Sequence, residues 1–151
     1  MKNEAARFAF AAICLVFGGA AEELLPRMFG VGPPVLMAAS VWVARRSDPP
    51  FALSFAFAAG AMEDALSSQL PLSGAAFFVA LALVSRLPSF PSAALFAAYP
   101  LHLAWTSLLS SGSGGGFFAR ALASVAAWAV AYAATGVAVA CFGREVALDE
   151  P

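Results

Sequence analysis

The chain reads as an all-α integral membrane protein, one compact domain over residues 1–151 with about six transmembrane helices. Its composition is the first reason. Hydrophobic residues make up 62% and charged residues 11%, where soluble domains carry about 25% charge, and the mean hydropathy is +0.83. The second reason is spacing: proline, glycine and charge interrupt the apolar runs at intervals near the roughly 20 residues that cross a ~30 Å hydrocarbon core. Net charge is −1 and no polybasic block occurs, which argues against nucleic acid and strongly anionic partners.

The first helix is expected over 6–25. Its approach, Met1-Lys2-Asn3-Glu4-Ala5-Ala6-Arg7, resembles a signal peptide, but apolar segments continue where a soluble mature protein would begin, so it is read as a membrane helix. Pro26, Gly30, Gly32 and Pro33-Pro34 end it, and the second is expected over 28–44, before Arg45-Arg46. From Pro34 to Ala44 is too short to cross alone, so this helix must start before Pro33, kink there, or be only partly immersed. After the polar turn Arg45-Arg46-Ser47-Asp48-Pro49-Pro50, the third is expected over 51–68. Pro71 and Pro88 bracket the fourth, at 71–87, and the fifth, at 91–109, contains Pro100. The glycine-rich run Ser110–Gly116 is expected to be a flexible linker before the last helix, 117–142.

With both termini cytoplasmic, Lys2, Arg7, Arg45, Arg46, Arg86 and Arg144 fall inside and only Arg27 and Arg120 outside, in keeping with the bias of basic residues towards the cytoplasm. Glu22 and Glu23 then lie near the outer end of the first helix, at the same depth as Glu63 and Asp64 near the outer end of the third.

Glu63 and Asp64, in Gly60-Ala61-Met62-Glu63-Asp64-Ala65-Leu66-Ser67, are the candidate functional feature. An ionised Asp near the bilayer centre costs about 2.5–3.5 kcal/mol on insertion scales. Gly60, Asp64 and Ser67 follow i, i+4, i+7 and share one helical stripe with Ala56, where the small residues admit a closely packed neighbour. Glu63 points about 100° away. Two readings of Asp64 stand: it fixes an interhelical hydrogen-bond network or receives a ligand, or both acids sit among headgroups at an ordinary helix end. Ala119, Ala123, Ala127 and Ala131 make a second small-residue stripe on the last helix.

Catalytic and metal chemistry find no support. Cys14 and Cys141 lie in apolar stretches without CxxC or Cys/His spacing and read as small buried hydrophobes. His102, the only histidine, sits in Tyr99-Pro100-Leu101-His102-Leu103-Ala104-Trp105 without an acid or Cys at helical spacing. It is expected to be buried or interfacial and bonded to a backbone carbonyl. Gly114-Gly115-Gly116 lacks the Lys and strand of a phosphate loop. No catalytic residue, metal or cofactor is therefore expected.

Pro34-Val35-Leu36-Met37, the pair Arg45-Arg46, Gly60-xxx-Asp64-xx-Ser67, and Leu72-Ser73-Gly74 leading into an apolar run with Arg86 together resemble the MreD family of rod shape-determining membrane proteins. There a helix with the pattern Gly-xxx-Asp-xx-Ser precedes a Leu-Gly turn into the next helix. The resemblance covers about Pro34 to Leu87; the stretch between Ser67 and Gly74 is longer than the family's usual one, and Glu63 stands at a commonly apolar position. It implies a multi-pass, non-enzymatic subunit of the bacterial elongasome in the inner membrane. Its partners would be MreC, RodA, the peptidoglycan transpeptidase, the MreB filament and membrane lipids. Gly60, Asp64, Ser67, Gly74 and Ala56 would form the partner-binding or structural motif.

A different class also fits the size and small-residue content: the compact six-helix substrate-binding subunits of energy-coupling-factor vitamin transporters, whose plan MreD proteins resemble. A ligand pocket of that kind needs a few convergent polar groups, for which Glu22, Glu23, Glu63, Asp64, Gln69 and Trp105 are the candidates. Against it, the chain has only three Trp and two Tyr.

Overall fold

The computed structural model describes residues 2–29, 34–67, 72–88, 97–109 and 117–146. Their regular structure consists of six α-helices: α1 Lys2–Phe29, α2 Val35–Arg46, α3 Pro49–Ser67, α4 Ser73–Ser85, α5 Ala98–Leu109 and α6 Phe117–Val146. The expected linker Ser110–Gly116 and Gln69 lie outside the described residues.

Several boundaries differ from expectation: α4 ends at Ser85 against 87, α6 reaches Val146 against 142, and the largest differences are at the end of α1 and the start of α2. α1 continues through Pro26 to Phe29, although the proline lacks the N–H that would bond the Glu22 carbonyl and its ring crowds that carbonyl. α2 consequently begins at Val35, after Pro34, and not at 28. The polar turn behaves as its residues dictate: the Asp48 carboxylate accepts the Phe51 N–H at 3.4 Å, and Pro49 opens α3, where a missing N–H costs nothing.

Among the described residues one segment, Glu4–Pro26 of α1, is long and apolar enough to cross a membrane, with mean hydropathy 1.8. Ser73–Ser85 and Val125–Ala138 are shorter apolar helices. α2 and α5 have 12 residues each, which is a rise of about 18 Å against a ~30 Å core. The described helices therefore include one full-length candidate span, fewer than the six expected from the apolar pattern.

α2 is the hub. Leu36, Met37, Ala38, Ala39, Ser40, Val41, Val43 and Ala44 are all buried, because α1, α3, α4 and α6 surround it. The most extensive pairing is α3 with α4, where Gly60 meets the backbone of Gly74 and Ala75; Ala52, Ala56 and Ala59 of α3 and Phe78 and Ala82 of α4 are buried in the core. On α6, Trp128 and Ala131 are buried, and Trp42 donates its indole N–H to the Tyr132 carbonyl at 2.9 Å. The outer surface, in contrast, is apolar: Phe8, Phe17, Val16, Val130 and Val137 are each more than 60% exposed.

Among the described side chains, the basic ones gather at one end of the bundle. Arg86 donates to the carbonyls of Ala44 and Ser47 at 2.6 and 2.7 Å, closing the C-terminus of α2. Arg7 pairs with Asp48 at 2.7 Å, and the Arg46 guanidinium lies over the Trp42 ring at 5.1 Å. The described acids Glu22, Glu63 and Asp64 occupy the other end, beside the starts of α2 and α4.

Candidate functional site

α2 and α4 both start without a capping side chain of their own. The residues before them, Pro34 and Leu72, make no side-chain cap hydrogen bond, yet the first N–H groups of a helix need acceptors, and in an apolar interior water cannot supply them. Carboxylates from the preceding helices do so. Asp64 of α3 accepts the Gly74 N–H at 2.7 Å and the Ser73 hydroxyl at 3.2 Å on Oδ1, and the Ala75 N–H at 3.2 Å on Oδ2. Glu22 of α1 accepts the Leu36 N–H at 2.8 Å. Each carboxylate therefore sits at the N-terminus of a neighbouring helix, the positive end of its dipole.

Close approach makes the Asp64 cap possible. A Cβ on Gly60 would lie 2.5 Å from Ala75 Cα and 2.6 Å from the Gly74 carbonyl oxygen, and one on Gly74 would lie 2.8 Å from Asp64 Oδ1. Only hydrogen fits at either position. Leu72, between the helices, adopts φ 68°, a left-handed conformation that turns the chain into α4 at a cost for a residue with a Cβ.

Of the residues singled out from the sequence, the structure brings Gly60, Asp64 and Gly74 into one constellation and buries Ala56 beside it. Ser67 lies in the last turn of α3, and its side chain is outside the described set. Glu23 is exposed. Glu63 belongs to a different contact: its Oε2 lies 3.4 Å from Nε2 of His102 on α5. This contact gives Glu63 a neighbour that helical spacing could not reveal, since the two lie 39 positions apart on separate helices. Phe77, Phe78 and Tyr99 surround the imidazole at centroid distances of 4.8, 5.8 and 6.4 Å.

The Glu22 cap was also missed by sequence reasoning, although a signal existed. Pro33-Pro34 precedes a helix with no Ser, Thr, Asp or Asn in the capping position, so an acceptor had to come from elsewhere.

A cavity of about 470 Å³ lies elsewhere, between α1, α2 and α6, lined by residues that include Phe10, Cys14, Phe17, Val35, Ala131 and Thr135. Thr135, its polar lining residue, spends its hydroxyl on the Ala131 carbonyl at 2.6 Å. Among the described residues no group of three or more His, Cys, Asp and Glu is placed to hold a metal ion.

The fold and this site define a helical bundle whose acidic end is held by interhelical capping. Compared with family models, curated proteins and solved structures, the chain matches none.

Proposed function

We propose that this chain is a multi-pass membrane scaffold of the MreD type, a non-enzymatic subunit that binds an MreC-like partner in the cell-elongation complex of the bacterial inner membrane. One observation carries this reading over the carrier alternative: two of the four acids that a ligand pocket could use, Glu22 and Asp64, are committed to the bundle's own helix starts. Asp64, with three donors on its two oxygens, has little capacity left for a substrate. The cavity between α1, α2 and α6 is apolar and so offers a vitamin-type ligand few of the polar groups that confer specificity.

Several further features support the same reading. Exposed large hydrophobics along α1 and on α6 suit lipid or a partner's helix, and the basic residues at one end suit a cytoplasmic face. In an assembly of membrane helices, association relies on small-residue packing and polar contacts. The rigid α3–α4 pair would present a fixed surface for it.

The test is co-purification. The tagged chain, expressed in a rod-shaped bacterium with MreC and extracted in mild detergent, should retain MreC and restore rod shape to cells depleted of their own MreD. Retention of a small polar ligand with no MreC would instead establish the carrier.

A further inference from the structure

Three carboxylates, Glu22, Glu63 and Asp64, meet at the acidic end of the bundle, and their charges are balanced in different ways. Glu22 and Asp64 receive backbone N–H groups at helix starts. Glu63 Oε2 is buried and accepts no hydrogen bond, and the Nε2 of His102, a residue only 2% exposed, is likewise without a hydrogen-bond partner. These two orphaned atoms face each other at 3.4 Å. A buried ionised carboxylate with no compensating charge is strongly disfavoured, and neighbouring Glu22 and Asp64 add negative potential.

We propose that Glu63 and His102 form a proton-binding site that ties α5 to α3. One proton held between carboxylate and imidazole closes the gap as a hydrogen bond and cancels the uncompensated charge. A proton is the ligand the geometry favours. The two atoms stand just beyond hydrogen-bond length, so a small contraction suffices, and no third ligand is placed to complete a metal site among the described residues.

The surroundings are accounted for element by element. Asp64 on α3, Glu22 on α1 and Tyr99 on α5 are the titratable neighbours; α4 contributes the rings of Phe77 and Phe78; the described side chains of α6 carry no charge. Loss of the proton leaves Glu63 charged against apolar rings and removes the tie between α3 and α5.

Because His102 is the only histidine, a chain labelled with ¹⁵N-histidine gives one imidazole to follow by magnetic resonance. In the intact chain the ring nitrogens should show one transition between about pH 5 and pH 9, with the infrared band of a protonated carboxyl disappearing over the same range. Above that transition, amide exchange in α5, corrected for its intrinsic pH dependence, should rise at least about tenfold. In Glu63→Gln both the carboxyl band and the imidazole transition should be lost. Glu63→Asp, which retracts the carboxylate by one methylene, should shift the transition and serves if the Gln variant does not fold. An imidazole titration unchanged by either variant, a carboxyl band absent from the intact chain at all pH values, or a transition that follows added sodium or potassium in place of pH would each overturn the proposal.

Discussion

Asp64 Oδ1 accepts the backbone N–H of Gly74 at 2.7 Å, so that a carboxylate on α3 supplies the cap that α4 lacks. The bond exists because Gly60 and Gly74 let the two backbones approach, and the approach is held in turn by the bond. An acid that is costly in an apolar interior becomes structural once it is saturated by donors.

This arrangement sets the order of Asp64 variants. Both carboxylate oxygens accept, so Asp64→Asn turns one acceptor into an N–H₂ facing a backbone N–H. It should destabilise the bundle by about 2 kcal/mol, and Asp64→Leu, which leaves all three donors unpaired, by more. Thermal unfolding in detergent, followed by circular dichroism, checks the order. Equal stability of Asp64→Asn and the parent chain would mean the cap is not formed.

Gly60→Ala should cost about 1–3 kcal/mol despite alanine's better helix propensity, because the new methyl meets the backbone of Ala75 and Gly74, not a flexible side chain. Gly60→Leu should prevent α3–α4 pairing. Cysteine cross-linking between α3 and α4 reads the outcome directly, and undiminished cross-linking in the leucine variant would contradict the close approach.

Leu72 is exposed and adopts φ 68°. Replacing it with glycine relieves the left-handed strain while losing little packing. Leu72→Gly should therefore be neutral to stabilising by up to about 1 kcal/mol, whereas Leu72→Val, branched at Cβ, should be worse than the parent. The same thermal measurement distinguishes them.

The Glu22 cap predicts a different pattern. Glutamine can keep an acceptor oxygen towards Leu36, so Glu22→Gln should be milder than Glu22→Ala, which should cost about 1 kcal/mol through loss of the cap on α2. Exchange of the Leu36 amide should rise in the alanine variant only.

Topology is tested by labelling. A cysteine placed in the Ser110–Gly116 run should react with an impermeant thiol reagent applied to the outside of intact cells, as the distribution of basic residues requires. Labelling only after permeabilisation would reverse the orientation.

The helical class, the break around Pro33-Pro34 and the turn at Asp48-Pro49 follow from local chemistry, and so does the sharing of one helix face by Gly60 and Asp64, because 3.6-residue periodicity places them there. The course of α1 past Pro26 was less legible, since an interior proline usually ends or kinks a helix.

What the residues determined alone is the apolar composition, the positions of helix breakers and the face on which each small or acidic residue lies, all of them set by backbone sterics and short-range periodicity. The tertiary structure decided which helix each carboxylate serves: Asp64 the start of α4, Glu22 the start of α2, and Glu63 the imidazole of His102. Those pairings bridge separate helices. They arise where packing removes water and each buried donor or acceptor must find its partner across an interface, a requirement that no local window of sequence contains.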